Sequence, residues 1–201
     1  TTGVKNVLIG GLAGDALTDA DFNVAVGNGA LSSDTLGSTS TAIGASALGS
    51  QNFTTATDTF NTAVGFETGQ LITTGKDNTL MGANTGDALT TGELNTALGR
   101  NALSTDTQGS RSVAVGRSAL ETQNFTTATE TYNVAVGYDA GARITTGTEN
   151  TILGGLAGDH LTTGIQNIAI GVNALGAETN GTYNVAVGRE ALKTSNGATF
   201  N

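Results

Sequence analysis

The chain has 201 residues, of which 30 are glycine and none is proline, cysteine or tryptophan. Only 12% of the residues are charged, and the formal net charge is −9. The lack of cysteine excludes a disulfide framework and thiolate metal sites, and the acidic balance argues against nucleic acid as a partner. No apolar run approaches the ~20 residues of a membrane span, so we expect no membrane insertion in this segment.

A five-residue anchor, Asn-x-Ala-aliphatic-Gly in its commonest form, recurs along the whole chain. Its glycines are 17 residues apart except at two places, where the interval is 21. Each anchor alternates between two faces, as a strand does, and turn-like Thr-Thr-Gly or Asn-Gly stretches separate the anchors. One strand for every short repeat predicts an all-β parallel solenoid of eleven coils. The anchor glycines are Gly10, Gly27, Gly44, Gly65, Gly82, Gly99, Gly116, Gly137, Gly154, Gly171 and Gly188.

Eleven coils stacked at ~4.8 Å predict a rod about 50 Å long. We expect residues 1–201 to form a single repeat array. The first residues and Phe200-Asn201 are both in phase with the repeat. The array is therefore predicted to be a piece of a longer fibre.

Three columns of the anchor are expected to form ladders along the rod. The column of Asn133 carries amides that can hydrogen-bond from coil to coil or close a turn. The column of Val136 is aliphatic in every coil, which predicts that it faces a core. The column of Gly137 has no exception, which predicts a sharp corner or a close backbone approach.

The two long intervals contain the same string, Gln-Asn-Phe-Thr-Thr-Ala-Thr, which begins at Gln51 and again at Gln123. The extra residues of these coils are expected to bulge outward, on one side of the rod and about 19 Å apart. Two interpretations stay open, because the phenylalanine of each loop can fold back as a structural element, or the loops can form a row of contact sites. The candidate contact residues are Gln51, Asn52, Phe53, Thr54, Gln123, Asn124, Phe125 and Thr126.

The strings NVAVGREAL, NIAIGVNAL and SVAVGRSAL resemble the head repeats of trimeric autotransporter adhesins, and similar repeats occur in tail-fibre-like proteins of phages. The resemblance covers essentially the whole chain, although the units here are longer and rarely carry Ser after the Asn. It implies a left-handed parallel β-roll of three chains side by side, displayed on a bacterial cell or virion surface and used for attachment. A core only one side chain wide also favours an oligomer.

No catalytic or metal-binding constellation is visible in the sequence. His160 is the only histidine, and Asp15, Asp87 and Asp159 share one phase but lie four coils apart, too far to share a cation. We therefore expect no enzyme activity, no cofactor and no metal. The expected partners are copies of the chain, as a homotrimer or an end-to-end fibre, and a host receptor or glycan. The alternatives are a self-assembling extracellular filament subunit and an ice-binding β-solenoid, the latter suggested by the many threonines.

Overall fold

A computed structural model describes residues 2–194 of the chain, and the two ends of the predicted array lie outside that range. The described residues form an all-β structure without any helix. The strands are β1 (Val7–Ile9), β2 (Val24–Val26), β3 (Gly37–Ser38), β4 (Thr41–Ile43), β5 (Thr57–Asp58), β6 (Thr62–Val64), β7 (Thr79–Met81), β8 (Thr96–Leu98), β9 (Gly109–Ser110), β10 (Val113–Val115), β11 (Thr129–Glu130), β12 (Val134–Val136), β13 (Thr151–Leu153), β14 (Ile168–Ile170) and β15 (Val185–Val187).

Eleven of these strands, one from each anchor, form a single parallel sheet. Each strand pairs with the equivalent strand of the next coil without a shift in register, as Val134 pairs with Thr151 and Val136 with Leu153. The register is kept across the two long coils as well, where Thr41 pairs with Thr62. The predicted β-solenoid of about eleven turns is therefore confirmed.

The core of the solenoid is lined by the middle residue of each strand. This residue is fully buried in nearly every coil and is alanine in eight of the eleven, with Leu80 and Ile152 among the exceptions. The prediction that the column of Val136 faces a core is wrong for the single chain. Val136 is 38% exposed and Val187 65%, because both flanking residues of each strand point away from the coil interior. The alternation was predictable, but the buried face is the alanine face.

Larger apolar side chains fill the core from the opposite wall in two alternative ways. Four residues after the anchor glycine, the backbone has a positive φ in every coil, whether the residue is Leu48 (φ 50°) or Gly69 (φ 58°). Where this residue is glycine, an aliphatic side chain such as Ile72 supplies the filling instead. A Cβ on Gly69 would lie 3.1 Å from the Ile72 side chain, so the two arrangements occupy the same space.

A ladder of asparagines, interrupted by Ser40 and Ser112, runs beside the sheet, and nearly all of its members are buried. The backbone N–H of Asn150 donates to Oδ1 of Asn133 over 3.0 Å, and Nδ2 of Asn133 donates to the carbonyl of Gly147 over 2.7 Å. The same pattern links Asn167 to Asn150 one coil further along. Each amide thus joins two coils and also holds the turn that precedes the next strand.

The corner after each strand requires glycine. Gly137 has a φ of 143°, and a Cβ there would lie 2.6 Å from the carbonyl carbon and oxygen of Gly154. At the other end of the strand, Tyr132 has a φ of 51°. These two turns limit each strand of the eleven-stranded sheet to three residues, because the chain leaves the sheet on both sides.

Candidate functional site

The loops of the two long coils have the same conformation, and part of each loop is buried. In the first loop, Gln51 and Phe53 are buried, while Asn52 and Thr54 are exposed. The equivalent residues of the second loop follow the same pattern, except that Asn124 is half-buried: Gln123 and Phe125 are buried and Thr126 is exposed.

Short strands hold these loops against the preceding coil. β5 pairs with β3 in the first loop and β11 pairs with β9 in the second, all in parallel. Between the buried phenylalanine and the short strand, Thr54, Thr55 and Ala56 are exposed in the first loop. The surface of each loop is therefore a small tip of threonine and alanine on a fixed base.

A fully buried carboxylate fixes that base. Oδ1 of Asp106 accepts hydrogen bonds from the backbone N–H groups of Gly109 and Phe125, each over 3.0 Å. Its Oδ2 accepts from Nε2 of Gln123 over 2.6 Å. Asp34 makes the same three contacts in the first loop. A carboxylate with three donors can be buried without a counter-ion, because hydrogen bonds replace the lost water.

The glutamine of each loop also connects this carboxylate to the asparagine ladder. Nε2 of Gln123 donates to Oγ of Ser112 over 2.8 Å, and its Oε1 accepts from Nδ2 of Asn133 over 2.8 Å. Ser112 stands where other coils have asparagine, and the shorter side chain leaves room for the amide of Gln123. Each serine of the ladder, Ser40 or Ser112, therefore accommodates the glutamine of the long coil that follows it.

Sequence reasoning missed these aspartates, although their spacing contains a clue. The pattern of long and ordinary coils repeats every four coils, or 72 residues, so Asp34 and Asp106 are equivalent positions and the next equivalent position is Glu178. Oε1 of Glu178 accepts from the N–H groups of its own turn, including Gly181 over 2.7 Å.

The outward side chains of the eleven long-sheet strands form a continuous surface, here called the outer face. No charged residue occurs at either outward position of any strand. One column is Val7, Val24, Thr41, Thr62, Thr79, Thr96, Val113, Val134, Thr151, Ile168 and Val185, and the other is Ile9, Val26, Ile43, Val64, Met81, Leu98, Val115, Val136, Leu153, Ile170 and Val187. At ~4.8 Å per coil the face is about 50 Å long, and its two columns lie roughly 7 Å apart at about 3.3 Å of rise per residue. An uncharged strip of this length, with one column apolar in every coil, is a candidate interaction surface.

Two columns border the outer face. The leading edge is the residue before the Asn or Ser ladder: Lys5, Phe22, Thr39, Phe60, Asp77, Leu94, Arg111, Tyr132, Glu149, Gln166 and Tyr183. The trailing edge is the residue after the corner glycine: Gly11, Asn28, Ala45, Phe66, Ala83, Arg100, Arg117, Tyr138, Gly155, Val172 and Arg189. Both edges are more polar than the face between them.

Arginine and tyrosine stack along both edges of the second long coil. The Arg111 guanidinium lies 5.9 Å from the ring centre of Tyr132, and that of Arg117 lies 5.3 Å from the ring centre of Tyr138. The Tyr132 hydroxyl donates to Glu130 over 2.6 Å, and Arg111 donates to the other oxygen of Glu130 over 3.0 Å. These two donors lower the pKa of Glu130, and the bond to Glu130 raises the pKa of Tyr132.

The acidic residues singled out by the sequence do not form a site. Nδ1 of His160 lies 3.3 Å from Oδ1 of Asp159, on the surface of one coil. Burial raises the pKa of Asp87, whose Oδ1 has no hydrogen-bond partner. Within residues 2–194, no group of three or more histidine, aspartate or glutamate side chains is arranged to hold a metal ion.

Several threonine hydroxyls are engaged within the rod. The hydroxyls of Thr73, Thr90 and Thr162 each donate to a carbonyl of the following coil, over 3.2, 2.9 and 2.8 Å.

A cleft of about 320 Å³ next to Leu8 and Leu17 is the open interior of the first coil. Leu80, the equivalent of Leu8, is buried because another coil covers it.

The coils, ladders and outer face define a parallel β-solenoid repeat protein. No family model, curated protein or solved structure matches this chain. No helix able to cross a membrane is found in the part of the chain that the structure describes.

Proposed function

We propose that this chain is a non-enzymatic structural and adhesive segment of a fibre on a bacterial cell or virion surface. It self-assembles, as a homotrimer, and attaches to a host receptor or glycan. The observation that carries the proposal is the uncharged outer face of the sheet. The face is uncharged in every coil over a length of about 50 Å, and one of its two columns is apolar throughout.

Attachment is assigned to the tips of the two long loops. The sequence Thr-Thr-Ala-Thr is present in both, and the buried Asp–Gln network gives each tip the same orientation on the rod. Rigid presentation favours binding, because little conformational entropy is lost when a partner is engaged. Two tips about 19 Å apart would also let one partner surface bind both at once.

Self-assembly is tested by placing a charge on the outer face. Val136→Lys should weaken assembly at least tenfold, because the variant lysines of neighbouring copies would be brought together in an apolar contact. Light scattering should give about three times 19.9 kDa for the unmodified chain and a smaller mass for the variant.

Leu71→Lys is the matched control for this substitution. Leu71 is 48% exposed but lies outside the outer face, so its replacement should leave the mass unchanged. An unmodified chain that stays at the mass of one copy, while folded by circular dichroism, contradicts the proposed assembly.

The attachment role is tested by trimming the loop tips. Deleting Thr54–Thr57 and Thr126–Thr129 together gives both long coils the ordinary coil length. We expect the trimmed rod to keep its mass but to lose at least tenfold in binding to immobilised bacterial lipopolysaccharide or host-cell glycoprotein, whichever the unmodified chain binds. Because the trim removes part of β5 and β11, melting should fall modestly. A trimmed chain that binds as before refutes the contact role. A trimmed chain that no longer assembles correctly shows instead that the loops are needed for the structure.

A further inference from the structure

The wall opposite the outer face carries a column of threonines in which two members are asparagine. The column directly follows the position of core fillers such as Ile72. In both long loops the asparagine is followed by phenylalanine and threonine, which gives the triplet Asn-x-Thr, the acceptor sequence for N-linked glycans. Within the described chain the column consists of Thr18, Thr35, Asn52, Thr73, Thr90, Thr107, Asn124, Thr145, Thr162 and Thr179.

The threonines of this column connect successive coils, and the asparagines do not connect them in the same way. The hydroxyls of Thr90 and Thr162 donate to a carbonyl of the following coil over 2.9 and 2.8 Å. Asn52 reaches the following coil through its backbone N–H, which donates to the carbonyl of Thr73 over 3.0 Å, and Asn124 does the same one repeat later. The hydrogen bonds of the column therefore explain its threonines but not its asparagines.

The side-chain oxygen of each asparagine is engaged, whereas the nitrogen is not. Oδ1 of Asn52 lies 3.1 Å from Oγ1 of Thr35, which also donates to the carbonyl of Phe53 over 2.8 Å. Oδ1 of Asn124 lies at the same distance from Oγ1 of Thr107. No described residue accepts a hydrogen bond from either Nδ2, which is the atom to which a glycan is attached. Asn52 is exposed and Asn124 half-buried.

The buried phenylalanine sets the orientation of the rest of the triplet. Phe53 is 6% exposed and Phe125 8%, so the middle side chain of each triplet is fixed in the rod. In extended chain, the residues on either side of an inward side chain point outward. Thr54 and Thr126 are accordingly exposed, and their hydroxyls form no hydrogen bond with the described residues. Both polar groups of the acceptor triplet are thus presented together.

The chain has 18 asparagines, and only one outside the long loops begins such a triplet, Asn180-Gly181-Thr182. Its turn belongs to an ordinary coil and is closed by Glu178. Oε1 of Glu178 accepts from the N–H groups of Asn180 and Gly181 over 3.2 and 2.7 Å. A transferase has to take the triplet into its own cleft, and a tight turn held in this way is harder to take up than a loop.

We propose that Asn52 and Asn124 are N-glycosylation sites. Each Nδ2 forms a bond to the anomeric carbon of a sugar that a separate transferase supplies as a glycosyl diphosphate. The bond between that carbon and the diphosphate oxygen breaks, the diphosphate leaves with the electron pair, and the amide loses one proton to a base of the transferase. The two glycans stand about 19 Å apart on the wall opposite the outer face. This modification goes beyond the attachment role proposed above, because the chain itself carries the sugars.

The test uses the folded, purified chain with UDP-glucose and an asparagine glucosyltransferase specific for this triplet. We expect a gain of two hexoses in the intact mass, located on Asn52 and Asn124 by peptide mapping. Asn180 should react at least tenfold more slowly. A folded chain that gains no hexose in either loop overturns the proposal. A peptide covering residues 51–58 then shows whether the fold or the triplet itself prevents the reaction.

Two substitutions at one residue show whether the triplet is recognised. Thr54→Ala should reduce hexose on Asn52 at least tenfold and leave Asn124 unchanged, whereas Thr54→Ser should keep both sites. Thr54 is exposed, so neither change should alter melting. Equal hexose on Asn52 in the alanine variant would mean that the reaction does not depend on the triplet, which also overturns the proposal.

A double variant, Asn52→Thr with Asn124→Thr, separates this proposal from the attachment role. It gives the column threonine in every described coil, so it should fold and melt as the unmodified chain does. It keeps both loop tips, so it should bind as before while accepting no hexose in either loop. A chain that accepts hexose but binds nothing refutes attachment alone, and a chain that binds but accepts no hexose refutes glycosylation alone.

Discussion

Replacing Gly137 by Val should destabilise the solenoid by about 3–5 kcal/mol, the largest effect expected from any single substitution in the sheet. A side chain at a φ of 143° costs about 1–3 kcal/mol in backbone strain. The new Cβ would also lie 2.6 Å from the Gly154 carbonyl, and an overpacked contact of this kind costs about 1–3 kcal/mol more. The melting temperature followed by circular dichroism should fall by roughly 6–20 °C, at about 2–4 °C per kcal/mol for a chain of this size.

Gly188→Val separates the two contributions. Gly188 has a similar φ of 123°, but a Cβ there meets no atom within 4 Å. It should therefore show the backbone strain without the clash, and a smaller loss of stability. Equal losses for the two variants would mean that the close approach of successive corners costs nothing.

Asp106→Leu should destabilise the chain by about 3–5 kcal/mol, because it leaves three buried donors without an acceptor. The N–H groups of Gly109 and Phe125 and the amide of Gln123 all donate to this carboxylate. Each unsatisfied buried group costs about 1–3 kcal/mol, although relaxation of the loop recovers part of it. The loss should be visible in thermal melting and as faster proteolysis of the second long loop.

Asp58→Leu is the control for the loss of an acidic side chain. Asp58 is exposed in the first long loop, and its replacement should change stability by no more than about 0.5 kcal/mol. If Asp106→Leu is equally mild, the buried carboxylate does not hold the loop in place.

The fold class could be predicted from spacing alone, whereas the orientation of the strands could not. The interval between anchors is too short for a helical hairpin and suits one turn of a solenoid. Alternation in the anchor then leaves two possible faces, and hydrophobicity favours the one that contains Val136. The coil interior decides otherwise, since in eight of the eleven coils it takes an alanine such as Ala135 opposite fillers such as Ile144. Side-chain volume, and not hydrophobicity, selects the buried face.

The loops show a second limit of sequence reasoning. The repeated string identifies the extra residues, but the residue that stabilises each loop lies in the previous coil, well before Gln51 or Gln123 in the sequence. Asp34 looks like an ordinary turn residue in isolation. Only the structure brings it to Phe53, because neighbours in a solenoid are one coil apart in sequence.

The ladder from Asn133 to Asn150 and Asn167 has a consequence for how the rod folds. Each of these contacts closes a segment of only one coil, and the long coils extend that segment slightly. No pairing has to wait for distant parts of the chain to meet, so the entropic cost of each closure is small and nearly constant. Once a few neighbouring coils have formed, each further coil can pair with the exposed edge of the last coil, at either end of the stack. Breakage should be equally local, and coils far from a damaged one should keep their structure.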